Sequence, residues 1–441
     1  MLNLEVRENE KGFTMKNPSL LLLLILSLAM IGLSQHAGFA ASACIDCHKT
    51  GTPAIVSDHE LSKHGKAGFD CSICHGSDHS SAGDAAKAKI PTPDTCAACH
   101  SERVKQYKSG KHGFAWAAMK AMPTMHWQPT VLIDEMKGCG GCHKIGVKTE
   151  AEIKELRKNN PGFGVGSCDS CHTRHTFSAE EARQPQACQT CHMGFDHPQW
   201  EMYSSSKHGV RNSLKQIKML PPTASAPTCQ NCHMQNGNHE VRTAWGFLAV
   251  RLPMPDDVVW KQDRTTILQA LGVLDPAGNA TKRLDAVKGI QLARMTQEDW
   301  QKERDKMTAT CTQCHSANFA KYELGKGDRI IKDADHAMAE AIRIVADLYK
   351  DGIIAKPKTY DYAFPDLLTF NDAPTPIEQR LFKMFLEQRN RTFQGTFHNS
   401  PDYAWWYGWS AMQESLIDIR HMAQDLRKAA GKAPAVKKAA R

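Results

Sequence analysis

The sequence predicts a mainly α-helical fold with extensive irregular loops and a helical C-terminal region. Three observations predict it. All 16 cysteines fall in eight Cys-x-x-Cys-His motifs, seven of them crowded between Cys44 and His233. The segments between those motifs are rich in Gly, Pro and Ser and too poor in apolar residues for an ordinary core. Beyond Cys311 the texture changes, and apolar residues recur at helical spacing.

The motifs are Cys44, Cys47 and His48; Cys71, Cys74 and His75; Cys96, Cys99 and His100; Cys139, Cys142 and His143; Cys168, Cys171 and His172; Cys188, Cys191 and His192; Cys229, Cys232 and His233; and Cys311, Cys314 and His315. This is the c-type haem attachment spacing. Two thiols bond one haem covalently, and the adjacent His ligates its iron. Disulfides would not require a His after each second Cys. Structural zinc needs four ligands, so motifs would have to combine in pairs. The cofactors expected are therefore eight covalently bound c-type haems, which take the place of the missing core. That makes the chain a haem-packed multihaem cytochrome c.

The N-terminus reads as an export signal. Lys16 precedes an almost wholly apolar run from Leu20 to Leu33, and small residues follow through Ala43. Met15 is the expected start and Ala40 a fitting cleavage site. Ala41 stands where a lipoprotein signal usually has Leu, which argues against Cys44 as a lipidated N-terminus. No second apolar run of that length follows, so the protein is expected to be periplasmic or otherwise extracytoplasmic. The formal charge of +8 is largely matched by haem carboxylates, roughly 16 for eight haems. No nucleic-acid motif accompanies the basic balance.

Four segments follow from this reading: 1–43 as signal, 44–315 as the haem-binding region, 316–430 as a helical region and 431–441 as a basic, frayed tail. A stretch of 77 residues, Met234 to Thr310, separates the seventh motif from the eighth. Its apolar start, Trp245 to Pro253, could cover a pocket, and Asp275-Pro-Ala-Gly278 reads as a turn. Helices are expected over Asp335 to Lys350, stopping at Gly352, over Ile377 to Phe393, and over Trp409 to Arg427.

A haem with a second protein ligand carries electrons, whereas one without it can bind substrate. Eight of the 21 histidines belong to the motifs, leaving thirteen. His36 lies in the signal, and His421 sits near the tail. His64, His112 and His208 share the context Lys-His-Gly, where glycine would let the backbone approach a flat porphyrin. His79, His175 and His197 each follow a motif too closely to return to the same iron, so each should serve a neighbouring haem. His336 opens an amphipathic helix. These seven would serve seven irons, with His59 and His126 as substitutes, and one haem would stay open.

The chain resembles the octahaem hydroxylamine oxidoreductases. The resemblance rests on eight motifs in this order, the gap before the last, the Lys-His-Gly pattern, Cys188-Gln-Thr-Cys-His-Met-Gly-Phe-Asp-His-Pro-Gln-Trp200, and Phe397-His-Asn-Ser-Pro-Asp-Tyr-Ala-Trp-Trp-Tyr407. It implies a catalytic fourth haem without a distal protein ligand, here on Cys139, Cys142 and His143. It also implies an acid–His pair above that iron, shortly after the seventh motif, which matches Asn238 and His239. Asn238 stands where an acid is expected, with Glu240 the nearest carboxylate. Oxidising members cross-link the catalytic haem to a tyrosine of a neighbouring subunit in a homotrimer, and Tyr403 and Tyr407 are the candidates here. Members without the cross-link reduce nitrite or hydroxylamine to ammonia.

Three readings stay open. The preferred one is reduction of hydroxylamine or nitrite, with electrons supplied by a partner cytochrome or a quinol-linked donor. The second is oxidation of hydroxylamine or hydrazine, with an electron acceptor as partner. The third is a pure electron carrier with two protein ligands on every iron.

Overall fold

The computed structural model describes residues 43–120, 138–159, 166–246, 248–284, 294–358, 363–368 and 373–432. The expected export segment through residue 42, His126 and the tail beyond residue 432 lie outside the described residues.

The chain is mainly helical, and its only extended pairing among the described residues is an isolated bridge between Leu274 and Ala280. The first half consists of short helices separated by turns. α1 (Ala43–Gly51) carries the first motif, and α2 (Pro53–Leu61) packs against it. α3 (Pro93–Ser109) carries the third. α4 (Gln199–Ser205) and α5 (Lys207–Gln216) follow the sixth. The turn at Asp275 to Gly278 forms as expected, closed by the Gly278 N–H donating to the Asp275 carbonyl at 2.9 Å.

The second half contains the apolar core. α6 (Val258–Ala270), α7 (Gln297–Cys311) and α8 (Ala317–Lys350) are followed by α9 (Pro376–Lys383), α10 (Asn390–Phe397) and α11 (Ala411–Ala429). π-helical turns, Met384–Arg389 and Trp405–Ser410, lead into α10 and α11. Every buried member of the largest apolar cluster lies at or beyond Val250. α8 supplies its spine. Leu324, Ile331, Met338, Ile342, Val345 and Leu348 are buried along it at helical spacing. Each such side chain contributes roughly 1.5–3 kcal/mol on burial. α8 runs 34 residues, much longer than the stretch expected from residue 335. The Ser316 hydroxyl caps its start by accepting the Phe319 N–H, and Gly352 at φ +65 ends the turn after it.

One charged cluster lies inside this core. Asp335 is fully buried and accepts from Arg264 Nη1 at 2.9 Å, Arg389 Nη2 at 2.6 Å and Trp260 Nε1 at 2.9 Å. The two guanidiniums also donate to the Ala249 and Leu248 carbonyls, pinning that loop to α6 and α8.

The motif-rich half has no comparable core. A cavity of about 2680 Å³ runs through it, lined by residues of all eight motifs. Trp245, Leu248, Val250 and Arg251 line its far wall, so the Trp245 to Pro253 stretch does cover a pocket.

Candidate haem-binding and catalytic site

None of the cysteines forms a disulfide, and most line the cavity. The motif histidines stand beside them, and seven of the eight face a second imidazole. His48 faces His79, and His75 faces His175, each with ring centroids 6.1 Å apart. His100 faces His64 at 6.1 Å, His192 faces His112 at 6.0 Å, and His315 faces His208 at 6.2 Å. His172 faces His239 at 6.2 Å, and His233 faces His398 at 6.3 Å. Subtracting the ring radii leaves about 4 Å between facing nitrogens, twice a metal–imidazole bond of roughly 2.0–2.1 Å.

Hydrogen bonding agrees. His79 Nδ1 pairs with Asp84 Oδ1 at 2.9 Å, His75 with the Lys89 carbonyl at 3.0 Å, His239 with the Gly237 carbonyl at 2.8 Å, and His398 with the Gln394 carbonyl at 2.8 Å. Such bonds fix the tautomer and leave Nε2 for a metal. Burial, then the neighbouring His112, pulls His192 down to about 3; burial, then His398, pulls His233 down to about 4. Both stay neutral at ordinary pH, and neutral imidazole is the ligating form. Paired thiols, paired neutral rings and a cavity between them fit c-type haem.

The Lys-His-Gly pattern has a further physical basis in the chain itself. A Cβ on Gly65, Gly113 or Gly209 would run into the carbonyl oxygen of His59, Tyr107 or Tyr203, six residues earlier in each case. Glycine thus allows a new turn to start tight against the preceding helix. Ser62 and Ser206 cap two of these turns, accepting the Gly65 N–H at 2.8 Å and the Gly209 N–H at 3.2 Å. The result swings His64, His112 and His208 towards the motif histidines they face.

Four expected placements change. His336 sits on the outer face of α8 with 62% of its side chain exposed, bonded to Asp263 Oδ2 at 2.8 Å; it faces no motif histidine among the described residues. Its neighbour Asp335 takes the inward position instead. His239 lies against His172 of the fifth motif, where the resemblance placed it over the fourth. Asn238 uses its Oδ1 to accept the Glu240 N–H at 2.8 Å, so it shapes that turn. His197 donates Nδ1–H to Asp196 Oδ2 at 3.0 Å, and its ring lies 6.0 Å from His192, which also faces His112. His59 lies near His64 and His175 without facing a motif ring.

His143 is the exception among the motif histidines: among the described residues no second imidazole faces it at that spacing. Its Nδ1–H donates to the Ala115 carbonyl at 2.9 Å. Burial lowers its pKa. The nearby His197 pushes the same way, while the Ala115 bond and Asp196 act in opposition. Asp196 and His197 therefore stand at the fourth motif. Burial works to raise Asp196, but the hydrogen bond and charge of His197 outweigh it and hold the carboxyl below its usual range. An acid–His pair thus stands after the sixth motif, whereas the resemblance led to the stretch after the seventh. It was legible in Phe195-Asp-His-Pro198, inside the stretch that carried the resemblance. His398 was also missed, since it lies in an aromatic segment that drew attention to its tyrosines. Gly327 leaves room for the Phe397 ring, which sets the end of α10 and with it His398.

The 193–201 loop is held at two points. Glu201 Oε1 accepts the Gly194 N–H at 2.9 Å, and Gln199 Nε2 donates to Gln394 Oε1 at 2.6 Å. Tyr403 lies close enough to Glu201 for that carboxylate, after burial, to raise its pKa. Tyr403 and Tyr407 pack with ring centroids 5.1 Å apart, and Trp405, Trp406 and Tyr407 are exposed.

Thiol proximities give the order of the motifs in space. Cys44 lies near Cys71, Cys74 near Cys96, and Cys96 near Cys168. Cys171 lies near Cys188 and Cys191, Cys188 near Cys229, and Cys232 near Cys311 and Cys314. The fourth motif joins through Cys142 and Cys191.

This geometry defines a multihaem c-type cytochrome. The family described as "Seven times multi-haem cytochrome CxxCH" matches residues 68–256 and 283–361, and the chain belongs to it. A relative from Kuenenia stuttgartiensis, described as a probable nitrite reductase-hydroxylamine oxidoreductase fusion protein, is 27% identical over 87% of this chain. The chain spans about half the length of that relative, 51%. A solved reducing HAO-like protein complex from the same organism matches with TM-score 0.67 and 24% identity, over 88% of this chain and 85% of that one. A hypothetical multiheme protein matches with TM-score 0.65 and 20% identity, over 91% and 99% respectively. The likeness to these structures is one of fold.

One substitution tests the new pairing. His239→Ala should add a second high-spin haem signal to the ferric protein, read by electron paramagnetic resonance, while His336→Ala leaves the spin states alone. The reverse result would restore His336 as a ligand.

Proposed function

We propose that the chain is an exported, periplasmic cytochrome with eight haems that reduces hydroxylamine or nitrite to ammonia at the haem on Cys139 and Cys142. The proximal ligands are the eight motif histidines. The distal ligands are His64, His79, His112, His175, His208, His239 and His398. One observation carries the reading: His143 alone faces no second imidazole among the described residues, and the Asp196–His197 pair stands there instead.

When bound, the fourth haem would supply electrons and an open coordination position. The chain supplies protons and shape. His197 is oriented by Asp196 through Nδ1, which leaves Nε2 to hold a proton and release it as the N–O bond breaks. Hydroxylamine then takes two electrons and two protons to give ammonia and water. The remaining motifs relay electrons from a partner cytochrome or quinol-linked donor. The relative bears a name from nitrite and hydroxylamine chemistry, which supports the substrate class.

Asp196 also favours a second reading. A carboxylate held ionised beside His197 helps remove protons, as hydroxylamine or hydrazine oxidation requires. That reading calls for a homotrimer in which a partner's tyrosine reaches the fourth haem, and the exposed face of Trp405, Trp406 and Tyr407 would suit such a contact. The purified protein separates these readings. Reduction predicts an intact mass with eight haems and no tyrosine adduct, together with one high-spin haem per chain. An adduct would favour oxidation. Low-spin signals alone would leave a pure electron carrier.

A further inference from the structure

The sixth-motif histidine is held by a side-chain amide. His75 and His143 donate Nδ1–H to the main-chain carbonyls of Lys89 and Ala115 at 3.0 and 2.9 Å, and His48 Nδ1 pairs with the Thr52 hydroxyl at 2.7 Å. His192 donates instead to Gln199 Oε1 at 3.1 Å. An imidazole that gives Nε2 to a metal carries its proton on Nδ1, so the amide must present its oxygen there. Its nitrogen then has to donate elsewhere, and Gln199 Nε2 does so to Gln394 Oε1 at 2.6 Å. The two bonds run in one direction, and bonds aligned in this way polarise one another.

The relay ends beside a second candidate ligand. Gln394 is 6% exposed, and its main-chain carbonyl accepts Nδ1–H of His398, which faces His233, at 2.8 Å. Gln199 is fixed from its other side as well. It opens α4, and its N–H donates to the His197 carbonyl at 2.8 Å, while the Trp200 N–H donates to the His192 carbonyl at 2.9 Å. The loop that bears Asp196 and His197 is thus fastened to His192 through both main chain and side chain. The same motif meets the fourth through Cys191 and Cys142.

We propose that Gln199 is a positioning residue for the haem of the sixth motif: it fixes the His192 ring and, by accepting its Nδ1–H, lowers that haem's reduction potential. The proposal rests on the haem reading above. A hydrogen-bond acceptor on Nδ1–H makes the ring a better electron donor, which favours ferric iron; taking the acceptor away favours ferrous iron. The haem affected is the one beside the fourth, so one loop sets both the acid–His pair and the potential of the neighbouring electron store.

Full-length, haem-loaded variants titrated by spectropotentiometry test this. Gln199→Met keeps the length of the side chain and removes the amide, so it should raise one midpoint potential. Gln199→Glu supplies a stronger acceptor and should lower the same one. Unmoved midpoints in both variants would overturn the proposal, as would shifts of one sign, which a loosened fold would give. A shift in Gln199→Glu alone would also overturn it, because the added charge would then account for the effect. If Gln199→Met fails to mature, Gln394→Met decides. It withdraws the acceptor behind Gln199 and should raise the midpoint that Gln199→Glu lowers, and no rise would overturn the proposal. Intact mass separates this from the haem reading: eight haems with unmoved midpoints count against Gln199 alone, whereas too few haems in the wild-type protein overturn both.

Discussion

Replacing Asp196 by asparagine is expected to slow hydroxylamine turnover by about 10²–10⁴-fold, the range associated with a positioned proton donor or acceptor. The shape of the side chain is kept, and the amide can still bond His197, but it carries no charge to orient and stabilise a protonated imidazole. Haem content and the low-spin spectra should match the wild type, because Asp196 is next to no ring that faces a motif histidine except through His197. Steady-state kinetics with an artificial electron donor, beside a spectroscopic binding titration with hydroxylamine, measure the effect. Binding should survive while turnover falls. Full turnover in Asp196→Asn would remove the proton-transfer role and return attention to the stretch around Glu240.

Asp335→Ala is expected to cost about 3–5 kcal/mol of stability, since it leaves two guanidiniums buried without their shared carboxylate. Arg264 and Arg389 are both nearly inaccessible, and the three side chains join α6, α8 and the turn before α10. Denaturant unfolding followed by far-ultraviolet circular dichroism reads the loss as a lower midpoint. Adding Arg389→Met to Asp335→Ala should recover part of it, because one uncompensated charge is removed. If the double variant is less stable than the single one by the full additive amount, the cluster is not acting through its charge.

Much of this molecule was legible before its structure. The motifs predicted where haem attaches, and the change in texture beyond Cys311 predicted a helical region. His79 and His175 each stand too near their own motif to bend back, and each faces the histidine of another motif. The placements that failed depend on information the local sequence lacks. His233 meets His398 from the far end of the chain, and only tertiary packing brings them together. On α8 a single position separates buried Asp335 from exposed His336, about 100° of helical turn, and both suited the amphipathic pattern. The acid–His pair failed for another reason. Two stretches offered a histidine beside a polar residue, and only the fold shows that Asp196 and His197 stand at the fourth motif.

The thiol contacts add a final point. Through Cys96 and Cys168 the third motif meets the fifth, so the succession in space skips the fourth, which hangs from the sixth by Cys142 and Cys191. In circuit terms the candidate catalytic haem is a side branch on a through-line. With a haem on every motif, current could cross the protein from the first motif to the eighth without entering the branch, and the line could fill with electrons while the branch is empty of substrate. Under the proposed reductive reading, a multi-electron reduction would draw on charge already stored next to it, and the rate of delivery by an outside donor would not need to match the rhythm of the chemistry.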